Sequence, residues 1–476
     1  MLLVCVSGCA VALAPGYRIA KEARAIHFIP GSAPALAVEA DFTLKNTGTT
    51  DLNFIDVRLP SKRDTGRSNL HVKLDGNEVL PEPLPKTREQ PDVVRIAFTR
   101  PWKRKEKREL SFAYDLRAPG DFPSYVTIEP NSFHLGLRGW APQLRPYKYV
   151  LTTYPSRPAH IEYAVRVPTG FSVLAGGARK GRKNYGNEIE YRYEVSGADL
   201  GVFAVAGRYV KWSSGGNQGS VSIWTTQALA GDAQQSAKQL ADIWKTLTSD
   251  FGVFDKRIRG PHVIESDGVR NDIAGDGAPA AISFPGGALL NPAAFGQGID
   301  SRRFLQLVSE ALARNWFDEE VLPSAEAEIG MGEGLPEYAS IVTDEARGGL
   351  QARRQRIYDY LRRYDAAAKR ARETPLASTL ADSPLPQRRI ALAKAPLFYI
   401  EIEDACGEEP VRAGLAHMLA SMCGQEVDYD VLRSVLEEST ERPLGKIFRE
   451  WLYRTGIPSN FRARYPYGEG GEEAGK

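Results

Sequence analysis

Between about residues 16 and 215, apolar and polar side chains alternate in short runs. The clearest is Leu36-Ala37-Val38-Glu39-Ala40-Asp41-Phe42-Thr43-Leu44, followed by the turn residues Asn46-Thr47-Gly48. A period of two puts alternate side chains on one face, so such runs predict half-buried strands. The stretches 93–98, 110–116, 161–167, 188–193 and 202–206 continue the series and together predict a large antiparallel sheet domain. Beyond Gly215 the period changes. Short strands are predicted at 221–224, 262–265 and 280–284, and a helix at 233–251. From Ser301 onward the spacing predicts helices over 301–317, 330–344, 348–372, 388–406, 409–422, 428–438 and 442–454. The fold class is therefore multidomain: an N-terminal antiparallel β-sheet domain over 16–215, then an α+β, mostly helical domain over 216–460. A Gly- and Glu-rich tail over 461–476 is expected to be disordered.

Composition narrows the function classes. At 476 residues the chain is too long for one core, and 42% hydrophobic with 25% charged residues is ordinary globular composition. Lys and Arg number 61 against 59 Asp and Glu, a balance that argues against a nucleic-acid binder. The six His (His27, His71, His134, His160, His262 and His417) are scattered, no two within twenty residues, which excludes a local zinc motif built on a His pair. Two basic runs stand out. The segment 102–108 reads as a solvated hairpin tip. The 351–372 segment reads as a solvated helix face, with contact to anionic lipid as the alternative.

Residues 1–15 read as a signal- or lipoprotein-like segment, too short to span a bilayer. Val6-Ser7-Gly8-Cys9 resembles a bacterial lipobox, with Cys9 as the lipidation candidate and membrane attachment as its consequence. No Lys or Arg precedes the run, so a cytoplasmic chain stays open beside export to the cell envelope. Cys406 and Cys423 are placed at opposite ends of a helical hairpin and are expected to stay unpaired.

The most informative stretch is Val308-Ser309-Glu310-Ala311-Leu312-Ala313-Arg314-Asn315-Trp316-Phe317, followed by Gly332-Glu333-Gly334-Leu335-Pro336-Glu337-Tyr338. It resembles the gluzincin family of membrane alanyl aminopeptidases and leukotriene hydrolases. Their helix reads HExxHxWF, with eighteen residues between the second His and the Glu of an N-E-G-F-A-x-Y helix. Trp316 and Phe317 fix the register, and eighteen residues separate Arg314 from Glu333. The family's first His then falls on Glu310, its catalytic Glu on Ala311, its second His on Arg314 and its third ligand on Glu333. Gly277-Ala278-Pro279-Ala280-Ala281 lies where the family carries G-A-M-E-N, and Leu392 falls on the oxyanion-binding Tyr. The resemblance spans roughly residues 100–458 and implies a thermolysin-like peptidase domain. A register shifted by one restores Glu310 as the base but makes the ligands Ser309 and Ala313.

A hydrolytic zinc site of this type needs two neutral imidazoles one helical turn apart, a carboxylate and a water. Only Glu333 of that set remains, so no catalytic residues and no cofactor are expected. The Arg314 guanidinium is expected where zinc would sit, neutralising both Glu310 and Glu333. The alternative leaves Glu310 and Arg314 solvated. The resemblance implies a non-catalytic relative that binds a peptide or partner protein in the cleft between its domains. A second possibility is an active zinc metalloaminopeptidase with unusual ligands, drawing on Glu310, Glu333 and Glu337 with Arg314 displaced. The spread Asp250, Asp255, Asp272 and Asp276 shows no ligand spacing and reads as loop and turn residues. His417, on an apolar helix, reads as a core or rim residue. Pro285-Gly286-Gly287 lacks the Lys and Ser/Thr of a phosphate loop.

Overall fold

The computed structural model describes residues 16–466, except 86–91, 118–125, 138, 145–159, 197–201, 215–220, 227–232, 254–259, 270–280, 297, 300, 381–382 and 423–424. Cys9, Cys423, Gly277, Ala278, Asp255, Asp272 and Asp276 lie outside the described residues. The chain divides into two compact units, the first ending at Ala206 and the second running from Gly207.

In the first unit, alternation produces the expected strands. Ala35–Asn46 buries nearly every second side chain, among them Val38, Ala40, Phe42 and Leu44. It pairs antiparallel with Tyr17–Ile29 on one side and with Lys107–Leu116 on the other. These strands belong to an eight-stranded sheet that also contains Ala178–Asn184, Glu188–Ser196 and His160–Pro168. The sheet is not wholly antiparallel: Tyr17–Ile29 runs parallel to His160–Pro168, from Glu22 opposite Ile161 to His27 opposite Arg166. Strand runs by themselves fix a face but not a neighbour, so direction had to come from the topology. In the basic run after Trp102, Lys103, Arg104, Lys105 and Lys107 are exposed, as a solvated tip requires. Arg108 instead is buried against Asp75.

The second unit opens with a five-stranded mixed sheet in the order Val210–Ser213, Ser222–Thr225, His262–Glu265, Gly287–Leu290, Ala281–Phe284. Val210 pairs opposite Thr225, so this strand belongs to the sheet of the second unit, which runs from Gly207. The helices follow. Arg302–Arg314 is capped by Ser301, whose side chain accepts from the Phe304 amide at 3.2 Å. The helices expected at 330–344 and 348–372 form one element, Gly334–Ala368, broken at Gly349, where φ is +68°. Leu385–Cys406 and Glu408–Ser421 are separated by Gly407 at φ +93°. Cys406 is a free thiol.

Two expectations are corrected here. The tail begins later than 461: Ser459–Arg464 is helical, and Phe461 is buried edge-on against Trp451 at 5.1 Å. The 351–372 segment is not wholly a solvated face. Arg354, Arg362, Arg363, Lys369, Arg370 and Arg372 are exposed, but Arg353 and Arg356 are buried among acids of neighbouring helices. Among the described residues, no helix is long and apolar enough to cross a membrane.

Candidate functional site

Arg302–Arg314 is strongly amphipathic: Phe304, Val308, Ala311 and Leu312 are buried, and Glu310 and Arg314 flank that stripe half-buried. A π-helical turn, Asn315–Glu320, continues it and seats Trp316 and Phe317 in the core. The Trp316 ring meets Trp244 at 5.1 Å and its Nε1 donates to the Gly252 carbonyl at 2.8 Å, while Phe317 packs edge-on to Phe251 at 5.1 Å. These two aromatics therefore anchor the helix end. The Asn315 side-chain oxygen accepts from the Gly286 amide at 2.7 Å, so the Pro285-Gly286-Gly287 turn is docked on this helix.

A second π-helical turn, Glu328–Glu333, leads into Gly334–Ala368 and presents Glu333. Its glycines permit close packing. A Cβ on Gly330 would lie 2.1 Å from the Tyr429 hydroxyl, and one on Gly334 would lie 2.8 Å from the Ala395 Cβ. Tyr399 donates to the Gly330 carbonyl at 2.8 Å and holds the turn from the other side.

The charged groups pair in a pattern that departs from the expected one. Arg314 Nη2 lies 2.6 Å from Glu333 Oε2, and the guanidinium also faces the Gly332 carbonyl at 3.4 Å. Glu310 is not part of that pair. It turns to Arg356, whose Nη2 is 3.0 Å from Glu310 Oε1. Arg356 also donates to Ser340 Oγ and the Tyr360 hydroxyl, each at 3.2 Å, and faces Glu337 at 3.7 Å and Asp344 at 3.4 Å. One guanidinium between Glu310 and Glu333 is thus replaced by two. Glu310 and Arg314 share a helix but point to different partners, because a deeper cation with more acceptors nearby already occupies the Glu310 side.

Electrostatics follow from these pairings. Burial pushes the Glu333 carboxyl up, but the charge and hydrogen bond of Arg314, aided by Arg388, outweigh it and leave the group below its ordinary value. Glu310 is likewise held low: burial raises it, and Arg356 and Arg303 more than compensate. Glu337 goes the other way. Burial and the neighbouring Glu310 charge push it up to about 7, against the partial relief from Arg356 and the Tyr360 hydroxyl, which donates to it.

Ala311 is buried, and Leu392 lies half-buried on Leu385–Cys406. Ser309, a ligand in the shifted register, is buried and hydrogen-bonded to Thr343 at 2.5 Å, and Ala313 is buried as well. The shifted register therefore points its ligand positions into the helix interface. Tyr338 is buried and donates to Glu403 at 2.5 Å, within a network in which Glu403 also meets Arg353 at 2.8 Å and Arg412 at 2.9 Å. Asp250 joins that network through Arg412 at 3.1 Å. His417 is exposed rather than in the core. Among the described residues, no three His, Cys, Asp or Glu side chains group so that they could hold a metal ion.

Sequence reasoning missed Arg356, Tyr360, Asp344 and Arg388. A signal was present for two of them. Arg353, Arg356, Ile357, Tyr360, Leu361 and Tyr364 recur at helical spacing and are all buried, so the arginines lie on the apolar stripe.

No protein-family model matches the chain, and no curated protein matches it in sequence. Its fold is found in solved structures. It is similar to an M1 zinc metallopeptidase from Deinococcus radiodurans, with 17% identity, a TM-score of 0.64, and coverage of 93% of this chain and 96% of that one. A mutant of that enzyme bound to a Tyr-Ser-Ala substrate matches at 17% identity and TM-score 0.65, over 93% and 96% of the two chains. A two-domain M1 zinc metallopeptidase mutant bound to L-arginine matches at 16% and 0.63, over 93% and 95%. At these identities the likeness establishes a two-domain M1 peptidase fold, with a sheet-rich N-terminal unit and a helical C-terminal region.

Proposed function

We propose that this chain is a non-catalytic relative of the M1 metallopeptidases that binds a peptide or partner protein, exported to the cell envelope and held there through Cys9. The observation that supports the loss of catalysis is the donor set at the family's metal positions. Zinc chemistry of this kind uses neutral imidazoles and a carboxylate with one position left for water. Here the two helix positions hold Glu310 and Arg314, and Arg314 is a permanent cation with no acceptor atom. It lies on Glu333 at 2.6 Å, so the one carboxylate that matches the family's ligand pattern already has a cation. Glu310, the other carboxylate, is taken by Arg356. The position of the proton-abstracting Glu is Ala311, which carries no base. The residues present do not fit a zinc ion.

Elemental analysis of the purified protein, together with an aminopeptidase assay in added zinc, tests this reading. No stoichiometric metal and no turnover are expected. One equivalent of zinc with hydrolysis would establish the alternative, an active enzyme with unusual ligands. Fractionation of the producing cells tests the anchor: Cys9→Ala is expected to release the protein from the membrane fraction.

A further inference from the structure

The cations around Glu310, Glu333 and Glu337 are not all accounted for by those acids. Arg314 is committed to Glu333, and Arg356 to Glu310, Glu337 and Asp344. Arg388, on the Leu385–Cys406 helix, is different. Its side chain is half-buried, and its Nε, like that of Arg356, is shielded from solvent without a hydrogen-bond acceptor. No described carboxylate lies within ion-pair distance of it, yet its charge reaches Glu333 and helps to hold that carboxyl down. Arg303 acts similarly on Glu310, and Arg363 feels both Glu310 and Glu337. The guanidiniums of Arg303, Arg314, Arg356, Arg363 and Arg388 outnumber the carboxyls of Glu310, Glu333, Glu337 and Asp344.

A buried donor left without an acceptor is costly, and natural sites seldom keep one unless something fills it. The guanidinium fork matches a carboxylate in shape as well as charge. Glu333 keeps about a third of its side chain exposed (34%) within reach of the Arg388 charge, so an acceptor accompanies the donors. That mixture suits a ligand presenting both a carboxylate and an N–H. Inorganic phosphate, largely a dianion at neutral pH, is repelled by the Glu333 carboxylate.

We propose that Arg388, beside the Arg314–Glu333 pair, receives the carboxylate of an acidic peptide ligand. The proposal rests on the reading of this centre as a binding site rather than a metal site. It gives that reading a ligand class: peptides recognised through a negative charge.

Calorimetry on the full chain tests it. The probes are acetyl-Ala-Ala-Glu with a free C-terminus, its neutral counterpart acetyl-Ala-Ala-Gln-amide, and inorganic phosphate. The acidic peptide is expected to bind at least about tenfold more tightly than the neutral one. Arg388→Gln is expected to remove that preference while the protein still melts in a cooperative transition. Arg388→Lys, which keeps the charge without the fork, is expected to recover only part of it. Equal binding of the two peptides, no binding of either, tighter binding of phosphate, or indifference to Arg388→Gln would overturn the proposal. Elemental analysis of the same sample keeps the two readings apart. Bound zinc would overturn the metal-free reading itself, whereas peptide data alone bear only on the ligand class.

Discussion

Arg356 reaches back 46 residues to Glu310, Nη2 to Oε1 at 3.0 Å, with only 1% of its side chain exposed. The contact ties Arg302–Arg314 to Gly334–Ala368 through one charged group that also faces Asp344 and Glu337. A guanidinium so deeply placed is tolerable only because acceptors surround it.

Removing it should therefore be severe. Arg356→Met leaves the Glu310 carboxylate without its ion-pair partner, whereas Asp344 keeps Arg347 at 2.5 Å, and breaking a buried pair from one side costs about 3–5 kcal/mol. Urea unfolding should show a loss of that order. Arg356→Lys should recover little of it, because an ammonium cannot reach several acceptors as a planar fork does. A loss below about 1 kcal/mol would mean that the cluster is solvated.

The pH dependence of stability carries the mark of Glu337. Its folded value, about 7, lies above the ordinary 4.5. A carboxyl raised on folding stabilises the protein fully below its unfolded value, and that contribution is lost as pH climbs through the folded one. Stability should fall between about pH 4.5 and 7, with a slope of at most about 1.4 kcal/mol per unit from this group. Glu333 and Glu310, both held low, act in the opposite sense, and their contribution is lost as pH drops below about 4.5. Glu337→Gln should flatten the upper window and leave the lower one. An unchanged slope in the variant would remove Glu337 as its source.

Restoring the imidazoles tests the register. The triple variant Glu310→His, Ala311→Glu, Arg314→His, with Glu333 retained, should take up about one equivalent of zinc by elemental analysis. The same three residue types placed one position earlier, at Ser309, Glu310 and Ala313, should not, since Ser309 faces Thr343 inside the helix interface. Zinc in the second variant and not the first would shift the alignment by one.

The turn that presents Glu333 has little room. In Gly330→Ala the added methyl would fall 2.1 Å from the Tyr429 hydroxyl and 3.0 Å from its ring carbon. Overpacking of this kind costs about 1–3 kcal/mol. Tyr429→Phe in the same chain should return part of that loss by removing the nearest atom. Thermal unfolding of the single and double variants measures both effects, and an unperturbed Gly330→Ala would show that the turn can shift.

Much of the fold was legible in the pattern of residues. The helix over 233–251 and the strand over 262–265 form with the predicted bounds, as Ala233–Phe251 and His262–Glu265. The buried stripe Phe304, Val308, Ala311 and Leu312 was legible too, because helical spacing maps sequence distance onto one face. What escaped the pattern was partner choice. Glu310 and Arg314 stand one turn apart in the favourable orientation for pairing. The structure separates them nonetheless: Arg314 goes to Glu333 and Glu310 to Arg356. The direction of the Tyr17–Ile29 and His160–Pro168 pairing was hidden for the same reason, since a strand's own residues do not name its neighbour.

By itself, then, the sequence determined the strand-rich and helix-rich halves, the amphipathic helix ending in Trp316 and Phe317, and the absence of imidazoles at Glu310 and Arg314. These are local properties: periodicity, residue type and spacing along one element. The tertiary structure decided where each charge goes. Arg356, placed by pattern on a basic outer face, became the buried partner of Glu310, and Arg314 paired with Glu333. The physical reason is that a buried charge is settled by every acceptor within a few ångströms, and those acceptors arrive from helices far apart in the chain.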